Sequence, residues 1–259
     1  AARRVDEWGR MKEAIPSVSA VLMPDEHLAN GTIPEGFSPE QMRILAYVDG
    51  FNTVADIISK SLMGRFNTTV FLASCVRQGW LREANAAEMA ANAEKSLLQG
   101  SAAEAAKLSR RTMEMTGDAS VRKLLAAALE AAGDTAGAAA EWRAAAANSE
   151  SANDLALAAE LIEKAGRLGG QTEDDLQRLG KLYAATGQTK EAAEALAKLA
   201  RFRLDAKRPL EAMEICNSAL ASQPGNEALV QILARCHLDL GRPKEASAIY
   251  EKLGRAYEA

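Results

Sequence analysis

Residues 226–250 decide the fold, and they read NEALVQILARCHLDLGRPKEASAIY. Apolar residues recur every three or four positions on both sides of Gly241, which predicts two helices joined by a tight, glycine-closed turn. Two small residues, Ala234 and Ala246, lie seven positions before and five positions after that glycine. Because small side chains at these places let the two helices cross closely, the stretch predicts a helical hairpin.

The same spacing recurs upstream of this hairpin. Gly100 and Gly133 lie 33 positions apart, and each has an alanine seven positions before it and another five positions after it. Lys207 replaces the glycine in a further copy, 34 positions before Gly241, and Gly166 gives a weaker copy 33 positions after Gly133. One helical pair cannot bury its apolar face alone, so this period predicts stacked pairs.

Large residues four positions after the second alanine, Trp142 and Tyr250, would fill the space between the crossed helices. This pattern resembles the tetratricopeptide repeat (TPR) family over residues 85–259, and the resemblance implies a TPR-like α-solenoid. We expect about ten helices, at residues 86–99, 103–116, 120–132, 136–148, 152–166, 173–186, 189–205, 209–222, 226–240 and 243–257.

One of these helices, 189–205, fits two places in the pattern. Gly180 lies 21 positions after Ala159, and Ala200 lies 20 positions after Gly180, so these steps are about half a repeat. The helix is therefore either the second of one pair or the first of the next, although strict alternation gives five pairs. Residues 167–172 form the least regular joint, where we expect a local change of superhelical pitch.

Residues 1–84 carry mixed helix and strand signals. A serine, a proline and a glutamine spaced as a helix start lie at 38–41, and three short helices followed by a strand are typical of a winged helix. The expected elements are a helix at 3–15, a strand at 19–23, a loop at 24–37, helices capped by Ser38 and Thr53, a third helix that begins at Asn67 or Thr68, and a returning strand at 80–82.

Four segments, at 6–8, 15–17, 45–53 and 79–81, resemble the winged-helix module of bacterial PATAN-type regulators. The resemblance implies a bacterial protein linked to signalling or motility, in which this module follows a regulatory domain.

The domain division follows from this resemblance and from the shift in composition near residue 85. The chain opens at Ala1 inside a helical pattern, so we expect a fragment of a longer protein. We predict a winged-helix-like module at 1–84 and a TPR-like helical repeat domain at 85–259.

Composition and motifs argue against several classes of function. The net charge is −4, which does not indicate a general polyanion-binding surface, and no apolar run approaches the roughly 20 residues that span a bilayer. Cys75, Cys216 and Cys236 lie far apart, which favours a reduced, cytoplasmic chain. His27 and His237 lie in no metal-ligand motif, and no phosphate loop or nucleophile elbow occurs. We therefore predict a protein that is not an enzyme, with no catalytic residues, no cofactor and no metal.

A winged helix raises DNA binding as an alternative, with the helix at 67–79 as the recognition helix of a transcriptional regulator. Residues 1–84 contain 9 Lys and Arg against 10 Asp and Glu, so this part lacks the basic footprint that phosphate contacts require. Asn67, Thr68 and Thr69 could contact bases, yet helix capping explains them more simply. DNA is therefore the minor alternative.

The TPR resemblance places the first helix of each pair along a concave surface that binds partners. On these helices the expected partner-binding residues are Glu94, Lys123, Glu130, Glu160, Arg201, Asp205, Gln231 and Arg235. Arg201 and Arg235, on adjacent pairs, could together hold a peptide carboxylate or an acidic side chain. The alternative is that these charges only keep the surface soluble.

The sequence thus predicts a mainly α-helical chain with a small winged-helix-like module followed by a TPR-like α-solenoid. Its expected function is that of a bacterial, cytoplasmic scaffold that binds a protein or peptide on the concave face, without chemistry of its own. Identity of the partner, oligomeric state and pathway are left open.

Overall fold

The computed structural model describes residues 11, 13–25, 28, 36–117 and 119–258. This part of the chain contains thirteen α-helices, one 3-10 turn and two short strands, so the fold is mainly α-helical, as the sequence predicts. The chain divides into two compact units, Ala1–Gly133 and Asp134–Ala259, each with apolar clusters of its own. The helix expected at 3–15 and the loop expected at 24–37 fall mostly outside the described residues.

The first unit opens with a small module of two strands and three helices. Strand β1 (Leu22–Pro24) pairs antiparallel with β2 (Leu81–Glu83), which is the returning strand expected near 80–82. Between them lie α1 (Pro39–Ala46), α2 (Val54–Lys60) and α3 (Gly64–Arg77).

Both predicted helix starts in this module are present as capping boxes. Ser38 Oγ accepts the backbone N–H of Gln41 at 3.3 Å, and Gln41 Oε1 accepts the backbone N–H of Ser38 at 2.9 Å. Thr53 and Asp56 form the same reciprocal pair at the start of α2. Each box satisfies N–H groups that the first helical turn leaves without a partner.

Helix α3 begins at Gly64, so the expected start at Asn67 or Thr68 is wrong. The reason is that the side chains of Asn67, Thr68 and Thr69 do not cap the helix. Each donates to the carbonyl oxygen four residues earlier, at 3.2, 2.9 and 2.8 Å respectively. Three helices and a two-stranded sheet agree with the winged-helix prediction, but they do not distinguish a winged helix from other small folds. The resemblance therefore stays a prediction.

Ten helices follow the module, and their bounds lie close to the expected ones. They are α4 (Ala86–Leu98), α5 (Ala102–Thr116), α6 (Arg122–Ala131, preceded by a 3-10 turn at Ala119–Val121), α7 (Thr135–Ser151), α8 (Leu155–Gly169), α9 (Glu173–Ala185), α10 (Thr189–Asp205), α11 (Pro209–Ser222), α12 (Glu227–Asp239) and α13 (Pro243–Glu258).

The turns that follow α4, α6, α10 and α12 carry the left-handed residues that the repeat pattern predicts. Gly100, Gly133 and Gly241 have φ angles of +82°, +83° and +71°. Lys207, which takes the place of the glycine after α10, has a φ of +60°. A residue with a Cβ is strained in this region, so Lys207 holds a conformation that glycine would adopt freely.

The weaker copy predicted at Gly166 is wrong, because this glycine lies inside α8 instead of in a turn. A Cβ at Gly166 would lie 2.6 Å from Gln171 Cγ, so the glycine lets the following loop approach the helix. Gly170 ends α8 with a φ of +79°. It lies 37 positions from both Gly133 and Lys207, and this longer step accounts for the irregular joint at 167–172.

In the second unit each helix packs on the next along the chain, and α10 also contacts α12. In the first unit, α4 likewise contacts α6, which is the second helix after it in the chain. These four helices are the ones that end in the predicted left-handed residue. The contact with α12 therefore makes α10 the first helix of the pair α10–α11.

The N-terminal module packs directly on the first repeat helices. An apolar cluster joins β1, the end of β2, α4 and α5, and its buried members are Val21, Ala84, Met89, Ala93 and Leu108. Asn92 Nδ2 on α4 donates to the carbonyl oxygen of Gly50 at 2.9 Å, and Lys107 on α5 pairs with Asp56 on α2. The module thus covers a face of α4 that would otherwise be open.

The helices of the second unit are also joined by ion pairs. Arg143 on α7 donates three charge-assisted hydrogen bonds to the fully buried Asp175 on α9. Nε lies 2.9 Å from Oδ1 and 3.1 Å from Oδ2, and Nη2 lies 2.8 Å from Oδ2. Burial raises the pKa of Asp175, but the hydrogen bonds from Arg143 and Thr172 outweigh burial and hold it below the ordinary value. Arg178 on α9 pairs with Glu150 on α7 at 2.7 Å.

Candidate functional site: the groove between α10 and α12

A cavity of about 380 Å³ lies between α10 and α12, and we call it the α10–α12 groove. It is lined by Arg201, Leu204, Asp205, Lys207, Gln231, Ile232, Arg235 and Asp239. Four of the eight residues predicted to bind a partner therefore come together around one cavity.

Helical spacing explains how these residues meet. Arg201 and Asp205 lie four positions apart and share one face of α10, as Gln231 and Arg235 do on α12. The two helices contact each other, so the two polar faces border a common cavity. Leu204 and Ile232, both buried, add apolar surface to the lining.

The groove carries three cationic and two anionic side chains. Arg235 Nε lies 3.2 Å from Asp239 Oδ1, one turn along α12, and the Arg235 side chain is 65% exposed. Within the described residues, Arg201 has no ion-pair partner, and it is exposed. The groove therefore presents cationic hydrogen-bond donors that an added carboxylate can reach.

Sequence reasoning missed Lys207 and Asp239 as lining residues. Lys207 was assigned only as a substitute for the turn glycine, although it follows the predicted groove residue Asp205 by two positions. Asp239 lies four positions after Arg235, and this i, i+4 spacing of opposite charges was the signal that could have found it.

Towards the N-terminal ends of the same two helices the surface is more acidic. Lys190 and Glu194 on α10 and Glu227 on α12 line a wide, open cavity of about 820 Å³. Nearby, the hydroxyl of Tyr183 donates to Glu163 Oε1 at 2.7 Å. Burial and this hydrogen bond raise the pKa of Tyr183, so the phenol stays a proton donor.

The other four predicted residues lie elsewhere. Glu94 on α4, and Lys123 and Glu130 on α6, belong to the first unit, and only Glu130 is half-buried. Glu160 is exposed on α8 and is not one of the residues that line the α10–α12 groove. Their role in binding stays a prediction.

Helix α3, the recognition helix of the DNA-binding alternative, has few side chains free for base contacts. Asn67, Thr68 and Thr69 donate to backbone carbonyls of their own helix, and Thr68 is fully buried. Arg65 and Arg77 are its exposed cationic residues. The DNA-binding alternative is not tested by these contacts, and none of them supports it.

The cysteines are free thiols buried in the apolar clusters. Burial raises the pKa of Cys75 to about 11 and that of Cys216 to about 12, which disfavours the reactive thiolate. Within the described part of the chain, no group of three or more His, Cys, Asp or Glu side chains could hold a metal ion. No helix there combines the length and the apolar character that crossing a bilayer requires.

Residues 203–258 match the family model described as tetratricopeptide repeat. This segment is therefore similar to a tetratricopeptide repeat. It includes α11, α12 and α13, so the TPR match covers one complete wall of the α10–α12 groove and the turn that carries Lys207. A comparison with curated proteins finds no match to the chain.

Several solved structures, some of them described as TPR or TPR-like, resemble the chain at low identity. Nearly identical TPR-like repeats from a Podosopora anserina protein described as a kinesin light chain share 21% identity, cover 66% of this chain and 93% of their own, and give a TM-score of 0.36. MamA AMB-1 shares 16% identity over 67% of this chain and 92% of its own, with a TM-score of 0.30. A TPR protein from Parabacteroides merdae shares 13% identity over 66% and 79%, with a TM-score of 0.25.

Proposed function

We propose that the chain is a non-enzymatic scaffold whose α10–α12 groove binds an acidic segment of a protein or peptide partner. The observation that carries the proposal is the meeting of Arg201, Asp205, Gln231 and Arg235 around one cavity. A TPR fold suggests a scaffold for protein–protein interaction. Arg235 on α12 lies within the matched segment, and Arg201 on α10 lies two positions before it.

Binding in this groove needs no chemical step. A carboxylate of the partner accepts hydrogen bonds from Arg201 and Arg235, while Gln231 offers both a donor and an acceptor. Because both walls are helices already packed on each other, little conformational entropy is lost when the partner binds. Asp205 and Asp239 disfavour segments with several closely spaced acids, which gives the groove selectivity.

The wider assignment rests on the resemblances found in the sequence. We place the protein in the cytoplasm of a bacterium, in signalling or motility, with a winged-helix-like module at 1–84 and the repeat domain at 85–259. Glu94, Lys123, Glu130 and Glu160 stay further candidate partner-binding residues on the repeat helices that carry them.

The test measures binding of fluorescent peptides that end in an acidic residue with a free carboxylate, alongside neutral and basic peptides of the same length. Arg201→Glu/Arg235→Glu should weaken binding of the acidic peptide by about tenfold or more, because two charge-assisted hydrogen bonds are lost. The matched control, Lys244→Glu/Lys252→Glu, reverses two exposed charges on α13 outside the groove.

Equal losses in both double variants would mean that only overall charge attracts the peptide. Equal affinity of the wild-type chain for acidic and basic peptides would likewise contradict the proposed function.

A further inference from the structure

A second cavity, of about 410 Å³, lies on the other side of α10, and we call it the α9–α11 cleft. Helix α10 packs against both α9 and α11, so it lies between them and forms the base of the cleft. The lining residues are Gln177 and Lys181 on α9, Leu196, Leu199 and Arg203 on α10, and Glu211, Glu214, Ile215 and Ser218 on α11.

The cleft and the α10–α12 groove use opposite faces of the same helix. Leu199 and Arg201 lie two positions apart, which is roughly 200° around an α-helix. Leu199 lines the cleft, whereas Arg201 lines the groove. A ligand in one cavity therefore does not occupy the other.

The base of the cleft is apolar and close-packed. Leu199 is buried, and Leu196 and Ile215 are half-buried. A Cβ at Gly180 would lie 2.8 Å from Leu196 Cδ2, so this glycine brings α9 close to Leu196. The half-buried Leu196 and Ile215, with the buried Leu199 between α9 and α11, give the cleft an apolar strip with helix walls on both sides.

One end of the cleft is held by an ion-pair network. Arg203 on α10 pairs with Glu173 on α9 and with Glu211 on α11. Arg208 also pairs with Glu173, at 2.6 Å. Since these pairs join α9, α10 and α11, they hold the walls of the cleft together before a ligand arrives, which lowers the cost of ordering the site.

The two rims carry opposite charges that face solvent. Lys181 on α9 and Glu214 on α11 are both exposed, and within the described residues neither has an ion-pair partner. A ligand seated on the apolar strip would lie between a cation and an anion. Binding is therefore favoured for a ligand that is acidic on the side facing Lys181 and basic on the side facing Glu214.

The backbone of such a ligand must satisfy its own hydrogen bonds. The walls are helices whose backbone groups are already paired, so they offer no sheet edge for an extended strand. An extended segment would lay unpaired N–H and C=O groups over Leu196, Leu199 and Ile215, at a cost in free energy. An α-helix pairs these groups internally and presents an apolar stripe.

We infer that the α9–α11 cleft is a second interaction surface that binds an amphipathic α-helix of a partner protein. The apolar stripe of that helix packs on Leu196 and Ile215, above the buried Leu199. An acidic residue of the helix lies beside Lys181, and a basic residue lies beside Glu214. This surface is separate from the groove of the proposed function, and the scaffold can hold two partners at once.

The test uses three synthetic 16-residue helical peptides with one shared Leu/Ile stripe. The residues that flank the stripe are Glu on one side and Lys on the other, Glu on both sides, or Lys on both sides. Wild-type chain should bind the mixed peptide about threefold more tightly than either uniform one, as expected for one rim pair. Glu214→Lys should then favour the all-Glu peptide, and Lys181→Glu the all-Lys peptide. Glu245→Lys, an exposed residue on α13, is the matched control and should leave the wild-type order unchanged.

The binding site is located by methyl NMR of the full chain. Shifts of the Leu196, Leu199 and Ile215 methyls on addition of the mixed peptide support the inference. Shifts at Leu204 and Ile232 instead would overturn it and would assign the peptide to the α10–α12 groove. The inference also fails if the mixed peptide binds no better than one with a serine stripe, or if both rim variants keep the wild-type order. None of these failures affects the acidic-peptide test of the groove.

Discussion

The N-terminal module and the second unit bury their apolar residues in different ways. Large side chains fill the module, among them the fully buried Leu22, Ile44, Ile57 and Leu72. Half of the buried cluster around α10, α11 and α12 is alanine, and two more members are cysteines. Large buried side chains stabilise a fold through the apolar area that they remove from water. Small side chains remove less area each, but they let helices approach closely, so that close packing along the helices stabilises the fold. In the second unit, ion pairs also join separate helices: two join α7 to α9, and one joins α9 to α10.

The largest effect is expected in the module core. Leu72→Ala removes a fully buried side chain and leaves a cavity, so the free energy of unfolding should fall by about 3 kcal/mol. Urea denaturation measures this change. The matched control is Leu62→Ala, because Leu62 is 85% exposed and its truncation should change stability by less than about 0.5 kcal/mol.

Similar small losses in both leucine variants would mean that the module does not depend on large-side-chain burial. The module and the second unit would then not differ in how their buried residues stabilise them.

An intermediate effect is expected at the buried ion pair of the second unit. Asp175→Asn keeps the size of the side chain but leaves Arg143 without an anionic partner, so stability at pH 7 should fall by about 2 kcal/mol. The folded pKa of Asp175 lies below its ordinary value of about 3.9. The carboxylate therefore stabilises the fold fully above that value and loses its contribution as the pH falls through the lower, folded pKa.

Unfolding free energies of wild type and Asp175→Asn should thus stay a constant distance apart from pH 7 to about pH 5, and converge below about pH 4. Asp174→Asn is the control, since the side chain of Asp174 is 76% exposed. A gap that persists unchanged into strong acid would show that the charge of Asp175 is not what stabilises the α7–α9 contact.

The smallest effect concerns a turn. Lys207→Gly should raise stability by about 0.5–1 kcal/mol, because glycine adopts the left-handed backbone without a Cβ clash. Lys207→Gln removes the same charge without relieving the strain, so it should leave stability near the wild-type value. If the two variants shift the urea midpoint equally, the charge rather than the backbone is responsible.

The repeat positions could be predicted because they follow from local backbone needs. Gly100, Gly133, Gly241 and even Lys207 were assigned to turns from spacing alone, and all four have positive φ. Gly166 failed because the same spacing can arise from a glycine that allows close packing of a loop. The start of α3 was missed because the side chains of Asn67 and Thr68 can either cap the start of a helix or donate to the carbonyl oxygen four residues earlier within it. The tertiary structure decides between these two roles, and here both side chains donate to that carbonyl oxygen.

The candidate sites divide in the same way. Arg201, Asp205, Gln231 and Arg235 share helix faces that periodicity identifies, so their meeting could be expected. The α9–α11 cleft could not, since Leu196, Leu199 and Ile215 have the spacing of ordinary core residues. Lys181 and Glu214 lie 33 positions apart, and only the packing of α9 and α11 around α10 places them on opposite rims.

The position of α10 between two cavities also has a mechanical consequence. A small roll of this helix about its long axis would move its Leu199 side and its Arg201 side in opposite directions, and it would therefore change both cavities. Ligands that favour the same roll strengthen each other's binding, and ligands that favour opposite rolls weaken it, by one and the same factor in each direction. Because the two proposed recognition surfaces share one helix, binding at one would be thermodynamically linked to binding at the other.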